Sequence, residues 1–359
     1  MSTFYATTAI DYPNGKPHIG HAFEKIITDI LTRWHRLKGE ETFFSTGTDE
    51  HGQKLEKYAK EAKKDPKTYV DGMIAHFIEL CNLLHISHDT FIRTTDAHHE
   101  ILAKELFDKA LQKEDIYLGK YSGNYCIYDE TFFTEKDLVD GDKCPICGRP
   151  TQITNEDAYF FKLGNYQQKI IDHIEEHGFI YPETRRNEIL SRLKKEPLRD
   201  LCVSRTSFSW GIPLKNDPKH VIYVWFDALI NYLSAIHYPD GEKSSLWPAN
   251  VHVIGKDIIW FHTVIWPAML MSLDIPLPKA VYAHGFILAK SGVKMGKSLG
   301  NAMDPFVLTQ KYGSDPLRYY LAKIIPSADD GYFSEEELVT KCNQELGNDL
   351  GNLVMRCIK

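Results

Sequence analysis

Phe4-Tyr5-Ala6-Thr7-Thr8-Ala9-Ile10-Asp11-Tyr12-Pro13-Asn14-Gly15-Lys16-Pro17-His18-Ile19-Gly20-His21 opens the chain and decides its fold. Residues 4–10 are rich in the β-branched and aromatic types that strands favour. Pro17 suits the first turn of a helix. Over 22–37 the apolar residues Phe23, Ile26, Ile27, Ile30, Leu31 and Trp34 recur at helical spacing, and Gly39 ends the run. Residues 42–46 read as the next strand, and the loop Gly47-Thr48-Asp49-Glu50-His51-Gly52 follows. Strand, helix and strand in that order make a βαβ unit, so the expected fold is α/β with a Rossmann-like, doubly wound parallel sheet. Ligands of such sheets sit at the carboxyl ends of the strands, where both the His18 loop and the Asp49 loop fall.

Further along, the texture changes. From about 116 to about 204, short aromatic-rich segments surround Cys126, Cys144 and Cys147, and a basic helical stretch carries Arg185, Arg186, Arg192, Lys194 and Lys195. Buried parallel strands are then expected at Val221-Ile222-Tyr223-Val224-Trp225-Phe226, Val251-His252-Val253-Ile254-Gly255 and Ala280-Val281-Tyr282-Ala283-His284. The expected division is a first half of the sheet domain over 1–115 and an inserted domain over 116–220. The second half of the sheet domain follows over 221–303, then a linker over 304–333 and helices over 334–359. Ser334 and Glu337 form a capping-box pattern, and Leu338, Leu346, Leu350, Leu353 and Val354 make an apolar helix face. That face leads to the expectation of a helical domain beyond it.

Composition narrows the class. No apolar run approaches the roughly 20 residues that span a bilayer, and the start lacks the basic and apolar pattern of a signal peptide. The seven cysteines are an odd number, scattered apart from one C-x2-C pair, so a reducing cytoplasm is expected rather than a disulfide framework. The net charge of -7 gives no support to a nucleic-acid partner, but a local basic patch could still neutralise phosphates.

Two segments carry the chemistry. His18 and His21 lie three apart, so they share one face of a first helical turn, where free N–H groups and the helix dipole favour an anion. Gly20 between them leaves room for a flat base to approach the backbone. Lys294-Met295-Gly296-Lys297-Ser298 puts two lysines and a serine on a glycine-flanked loop. Lysine is a strongly hydrated point charge suited to phosphate. Anion-binding groups at both ends of one α/β domain suggest a nucleoside triphosphate gripped from two sides. Taken singly, the bland readings are two incidental histidines and a solvated basic turn.

This pair of segments resembles the signature of class I aminoacyl-tRNA synthetases. The residues around it are similar to the methionyl-tRNA synthetase family: Ala9-Ile10-Asp11-Tyr12, the Asp49 loop, Ser204-Arg205, Tyr223-Val224-Trp225-Phe226-Asp227-Ala228, Tyr232, Ile254-Gly255-Lys256-Asp257-Ile258 and His284-Gly285. The resemblance covers essentially the whole chain. It departs at Gly296, where the family pattern K-M-S-K-S has serine; this removes a hydroxyl and adds flexibility.

The resemblance implies activation of L-methionine by ATP with Mg2+, then transfer to tRNA(Met), by a monomer. It implies phosphate handling by His18, His21, Lys294, Lys297 and Arg205, and ATP binding by Gly20, Gly255, Asp257 and Ser298. The methionine side chain would lie among Ile10, Tyr12, Trp225, Ala228, Leu229, Tyr232 and His284, with Asp49 on its ammonium. Without a downstream helical domain, adenylate formation but poor charging of tRNA is expected. Cys144-Pro145-Ile146-Cys147 is a half-site for Zn2+, with Cys126 and Asp129 completing a set of four; the alternative is a metal-free knuckle. His85, His88, His98 and His99 are read as surface or capping residues. The rival functions are a small-substrate nucleotidylyltransferase with similar phosphate motifs and a non-catalytic RNA-binding relative.

Overall fold

The computed structural model describes residues 2–129, 131–133, 135–289, 303–324 and 329–359. A six-stranded, wholly parallel sheet organises the chain: β1 (Thr3–Thr8), β2 (Glu41–Thr48), β3 (Thr90–Arg93), β7 (Ile180–Tyr181), β11 (Val251–Gly255) and β12 (Val281–His284), in the order β3-β2-β1-β11-β12-β7. Strand order reverses between β1 and β11, which opens a crevice at their carboxyl ends. Helix α1 (Ile19–Leu37) follows β1, α2 (Gln53–Glu61) and α3 (Pro66–Leu83) follow β2, and α4 (Ala97–Gln112) follows β3.

The inserted segment builds its own antiparallel sheet from β4 (Ile116–Cys126), β5 (Thr131–Phe133), β6 (Gln152–Phe161) and β8 (Leu201–Cys202), in the order β5-β4-β6-β8. Its helices α5 (Gln167–Glu176) and α6 (Glu183–Lys195) flank β7, the one strand it gives to the parallel sheet. The fold is therefore a split, doubly wound parallel sheet with an inserted domain and helices at its C-terminal side.

Residues 221–226 differ from the expected parallel strand. Val221–Ile222 (β10) pairs antiparallel with Ser204–Arg205 (β9), and the chain then turns into α7 (Val224–Leu229) and the short α8 (Asn231–Ser234). An apolar run of this length is equally compatible with a buried helix, and here the packing on all sides selects the helix. Helix α9 (Trp266–Ser272) lies between β11 and β12. After β12 come β13 (Ile287–Ala289), α10 (Pro305–Tyr312), α11 (Ser314–Ile324), β14 (Gly331–Phe333), which pairs parallel with β13, and then α12 (Glu335–Lys341) and α13 (Gly351–Cys357). Ser334 caps α12, its hydroxyl accepting from the Glu337 N–H. No helix among the described residues is long and apolar enough to cross a membrane.

Candidate active site

The crevice holds a cavity of about 410 Å³. His18 and His21 reach it from the start of α1, and their geometry follows from local bonding. His18 is the N-cap: its Nδ1 accepts from the Gly20 N–H at 3.1 Å, while His21 Nδ1 accepts from the His18 N–H at 3.0 Å. Because each Nδ1 is an acceptor, a neutral ring carries its proton on Nε2, which is the nitrogen able to donate. The rings stack with centroids 3.9 Å apart. Gly20 has a role the sequence did not suggest. A Cβ there would lie 2.9 Å from His18 Cε1, so the space the glycine leaves is taken by the His18 ring itself.

Ile10 and Tyr12 line the cavity just beyond β1, and Asp49 lines it just beyond β2. The Asp49 N–H donates to the Asp11 carbonyl at 2.9 Å, so the two loops run together. From the other half of the sheet come Gly255 and Asp257, at the end of β11. Asp257 folds back so closely that a Cβ on Gly255 would lie 2.6 Å from its Oδ1.

Trp225, Ala228 and Leu229 face the cavity from α7, and Tyr232 from α8. Trp225 stacks on Phe261 with centroids 3.6 Å apart and planes 13° from parallel. Tyr232 lies over the buried His252 ring at 4.1 Å. Its hydroxyl is 2.7 Å from Nε2 of His262, another cavity-lining residue. His262 Nδ1 donates to the Ile258 carbonyl at 3.0 Å, so Nε2 accepts from Tyr232. Burial pushes the His262 pKa down to about 4, and burial likewise holds His252 well below the ordinary histidine value. Sequence reasoning missed His262, although it stands five residues after Asp257 in one short motif.

His284 lines the cavity at the end of β12. Its ring sits edge-on to Phe23 at 5.0 Å, with Nε2 3.1 Å from Glu24 Oε2, and its Cε1 lies near Gly255. His99 is not a surface residue. It is fully buried in α4, with Nε2 2.6 Å from Asp227 Oδ1 and Nδ1 2.8 Å from Ser234 Oγ.

Arg205 is not among the residues lining the cavity. Its guanidinium is buried in β9, where Nε donates to Glu156 at 2.6 Å and the group lies 3.8 Å over the Tyr125 ring. Lys294, Lys297 and Ser298 lie outside the described residues.

Cys126, Asp129, Cys144 and Cys147 come together so that one ligand atom of each lies within 4.8 Å of the others. Cys126 Sγ is 3.6 Å from Cys147 Sγ and 3.2 Å from Asp129 Oδ2, and Cys144 Sγ is 3.1 Å from the same oxygen. Zinc–sulfur bonds of about 2.3 Å in a tetrahedron place sulfurs about 3.8 Å apart, so the set fits Zn2+. The knuckle also touches the cavity: Tyr128 and Asp129 line it, and Lys54 of α2 donates to the Tyr128 carbonyl at 3.0 Å.

A model of the family described as tRNA synthetases class I (M) matches residues 4–156 and 136–358. The chain is 50% identical over 357 residues to a methionine–tRNA ligase of Clostridium acetobutylicum, covering 98% of this chain and 55% of the relative. It is 48% identical over 372 residues to that of Bacillus subtilis, covering 99% and 56%. A structure of Mycobacterium tuberculosis methionyl-tRNA synthetase in complex with methionyl-adenylate superposes with a TM-score of 0.95 at 46% identity, covering 99% of this chain and 71% of that one. The chain thus spans about half the length of the curated relatives it matches.

Proposed function

We propose, from the premise that this chain belongs to the class I tRNA synthetase (M) family, that it activates L-methionine with ATP to methionyl-adenylate and passes the methionyl group to tRNA(Met). One observation carries the reading: groups suited to an ammonium, an apolar side chain and a nucleotide line one cavity at the switch point of the sheet. Asp49 would hold the methionine ammonium by a charge-assisted bond. Ile10, Tyr12, Trp225, Ala228, Leu229 and Tyr232 would enclose the thioether, which aromatic walls suit. His262, bonded to Tyr232, adds a neutral imidazole to that wall. His284, beside Gly255 and Glu24, would close the methionine side-chain wall at the end next to the nucleoside.

In the proposed reaction the methionine carboxylate attacks the α-phosphorus of ATP in line and pyrophosphate leaves. The protein's part is positioning and charge stabilisation rather than covalent chemistry. His18 and His21, with protons on Nε2, would donate to phosphate oxygens as charge moves to the leaving group. Lys294 and Lys297 would meet it from the opposite side, with Ser298 on ATP and Gly20, Gly255 and Asp257 along the nucleoside. Mg2+ would accompany the triphosphate and offset its charge. Arg205, packed on Tyr125 and Glu156, would serve indirectly by holding the β9 wall. The terminal ribose 2′-hydroxyl of tRNA would then attack the methionyl carbonyl of the adenylate, forming the ester as the bond to phosphate breaks and AMP leaves. Cys126, Asp129, Cys144 and Cys147 would hold Zn2+ as a structural ion. The domain limits that go with this reading are 1–115 and 221–303 for the catalytic halves, 116–220 for the insertion, 304–333 for the linker and 334–359 for the helical end. We place the protein in the cytoplasm as a monomer.

The test is exchange of labelled pyrophosphate into ATP with each of the twenty amino acids and no tRNA. Exchange with methionine alone is expected; exchange with none, or with several alike, would sink the reading.

A further inference from the structure

Lys25 is fully buried in α1, two turns beyond His18, with Ala22, Phe23, Glu24, Ile26, Thr28 and Asp29 buried around it in the same helix. A buried ammonium is costly unless paired. Its partner is Asp11, whose Oδ2 lies 2.5 Å from Lys25 Nζ; the two side chains are 0% and 6% exposed. Burial opposes the charge on Lys25, but Asp11 together with Cys81 and Glu24 nearby outweighs it and raises the lysine pKa above its ordinary value.

Asp11 is also a junction of the backbone. Its N–H donates to the Gly47 carbonyl at 2.8 Å, and its carbonyl accepts from the Asp49 N–H at 2.9 Å. This extends the β1–β2 pairing by an isolated bridge between Asp11 and Thr48. Its chain neighbours Ile10 and Tyr12 both line the cavity. One residue therefore gathers the methionine-side loop and the Asp49 loop, and the Lys25–Asp11 bond ties both to the helix that presents His18 and His21.

We infer that the Lys25–Asp11 ion pair is a positioning latch that sets where the methionine subsite stands relative to the phosphate-binding histidines. The inference rests on the function proposed above and adds a residue pair to it. The physical case is that the histidines are fixed within α1 by their own cap, while Asp49, Ile10 and Tyr12 stand on two strand ends whose last backbone bonds both meet at Asp11. What Lys25 adds is an anchor for Asp11, which steadies those two bonds and sets the register between the strand ends and α1. In-line attack needs the reacting atoms about 3–3.5 Å apart, and a shift near 1 Å can cost about a hundredfold in rate. Loss of the latch should therefore lower kcat and leave each substrate's KM nearly unchanged.

The experiment compares the full chain with Lys25→Met, Asp11→Asn and the double variant. Pyrophosphate exchange gives kcat and both KM values, urea unfolding gives stability, and hydrogen exchange reads the Asp11 and Asp49 amides. Lys25→Met is expected to lower kcat at least about tenfold, with both KM values within about threefold. It should also speed exchange at those two amides beyond any change in global stability. The double variant removes the uncompensated carboxylate, so its stability recovers while kcat stays low. If Lys25→Met fails to fold, Asp11→Asn and the double variant supply the same comparison. Recovery of kcat in the double variant would reduce the pair to charge balance and overturn the inference. Unchanged amide exchange in the variants would do the same. Absence of methionine-dependent exchange in the parent chain would count against the proposed function, and the amide measurement would then decide the latch alone.

Discussion

His51 Nδ1 lies 2.7 Å from Asp227 Oδ2, and the two are 176 residues apart in the chain. His51 follows Asp49 by two positions, and Asp227 sits on α7 among Trp225, Ala228 and Leu229. The bond joins the loop assigned to the methionine ammonium to the helix assigned to its side chain. His99 takes the other carboxylate oxygen, so Asp227 is bonded on both sides with no exposed surface. Burial opposes ionisation of Asp227, but the two imidazoles outweigh it and hold the carboxyl below its ordinary range.

Removing this carboxylate leaves two buried imidazoles without their acceptor. Asp227→Ala is expected to cost about 3–5 kcal/mol, the scale for breaking a buried pair from one side. Asp227→Asn, which keeps one acceptor oxygen, should cost less. Urea unfolding at neutral pH measures both, and an Asp227→Ala loss under about 1 kcal/mol would contradict the brace.

Gly20 gives a prediction in which stability and activity separate. In a helix, alanine is favoured over glycine by about 1 kcal/mol. The new Cβ of Gly20→Ala would meet His18 Cε1 at 2.9 Å and displace a side chain rather than backbone. The variant is expected to unfold at the same urea concentration or higher while pyrophosphate exchange falls about 10- to 100-fold. Full activity would show that the His18 ring needs no such seat.

Acid should destabilise the native state through His262 and His252. Both are held neutral by burial, His262 down to about 4 from the ordinary 6.5. Their contribution is intact above pH 6.5. As pH falls below that value the unfolded chain binds protons that the native state refuses, so stability drops until each native pKa is reached. Each histidine adds a slope of about 1.4 kcal/mol per pH unit in that window. Urea unfolding at pH 7, 6 and 5 reads the slope, and His262→Gln should remove one histidine's share of it.

The knuckle predicts about one zinc per chain, since four ligand atoms already lie within a tetrahedron's span. Chelation, or Cys144→Ser, is expected to empty the site and loosen the 126–147 segment, read as metal content and as protease sensitivity there. Because Tyr128 and Asp129 line the cavity, metal loss should also raise the KM for methionine. Unchanged proteolysis after complete chelation would mean that the segment folds without an ion.

Local signals reached far into the site. The β1–α1–β2 order, the His18 and His21 cap, the Asp49 loop and the cysteine spacing are short-range patterns, in which neighbouring residues set one another's geometry. They were sufficient to indicate a parallel sheet and to name about half of the residues that line its crevice. Periodicity failed at 221–226, because an apolar run buried on every side has no face to reveal its period; only the surrounding core turned it into α7. It failed again at His99, His262 and Lys25. A lone histidine or lysine in a sequence says nothing of the carboxylate or hydroxyl it will meet. Those partners, Asp227, Tyr232 and Asp11, come from other elements, and the pairing exists only once the chain has closed around it. The sequence by itself determined which strand ends and which helix start carry the groups suited to an ammonium and a phosphate. Tertiary structure alone decided which buried charges and hydrogen bonds hold them in register, because burial is what makes such pairs both costly to break and strong enough to position a site.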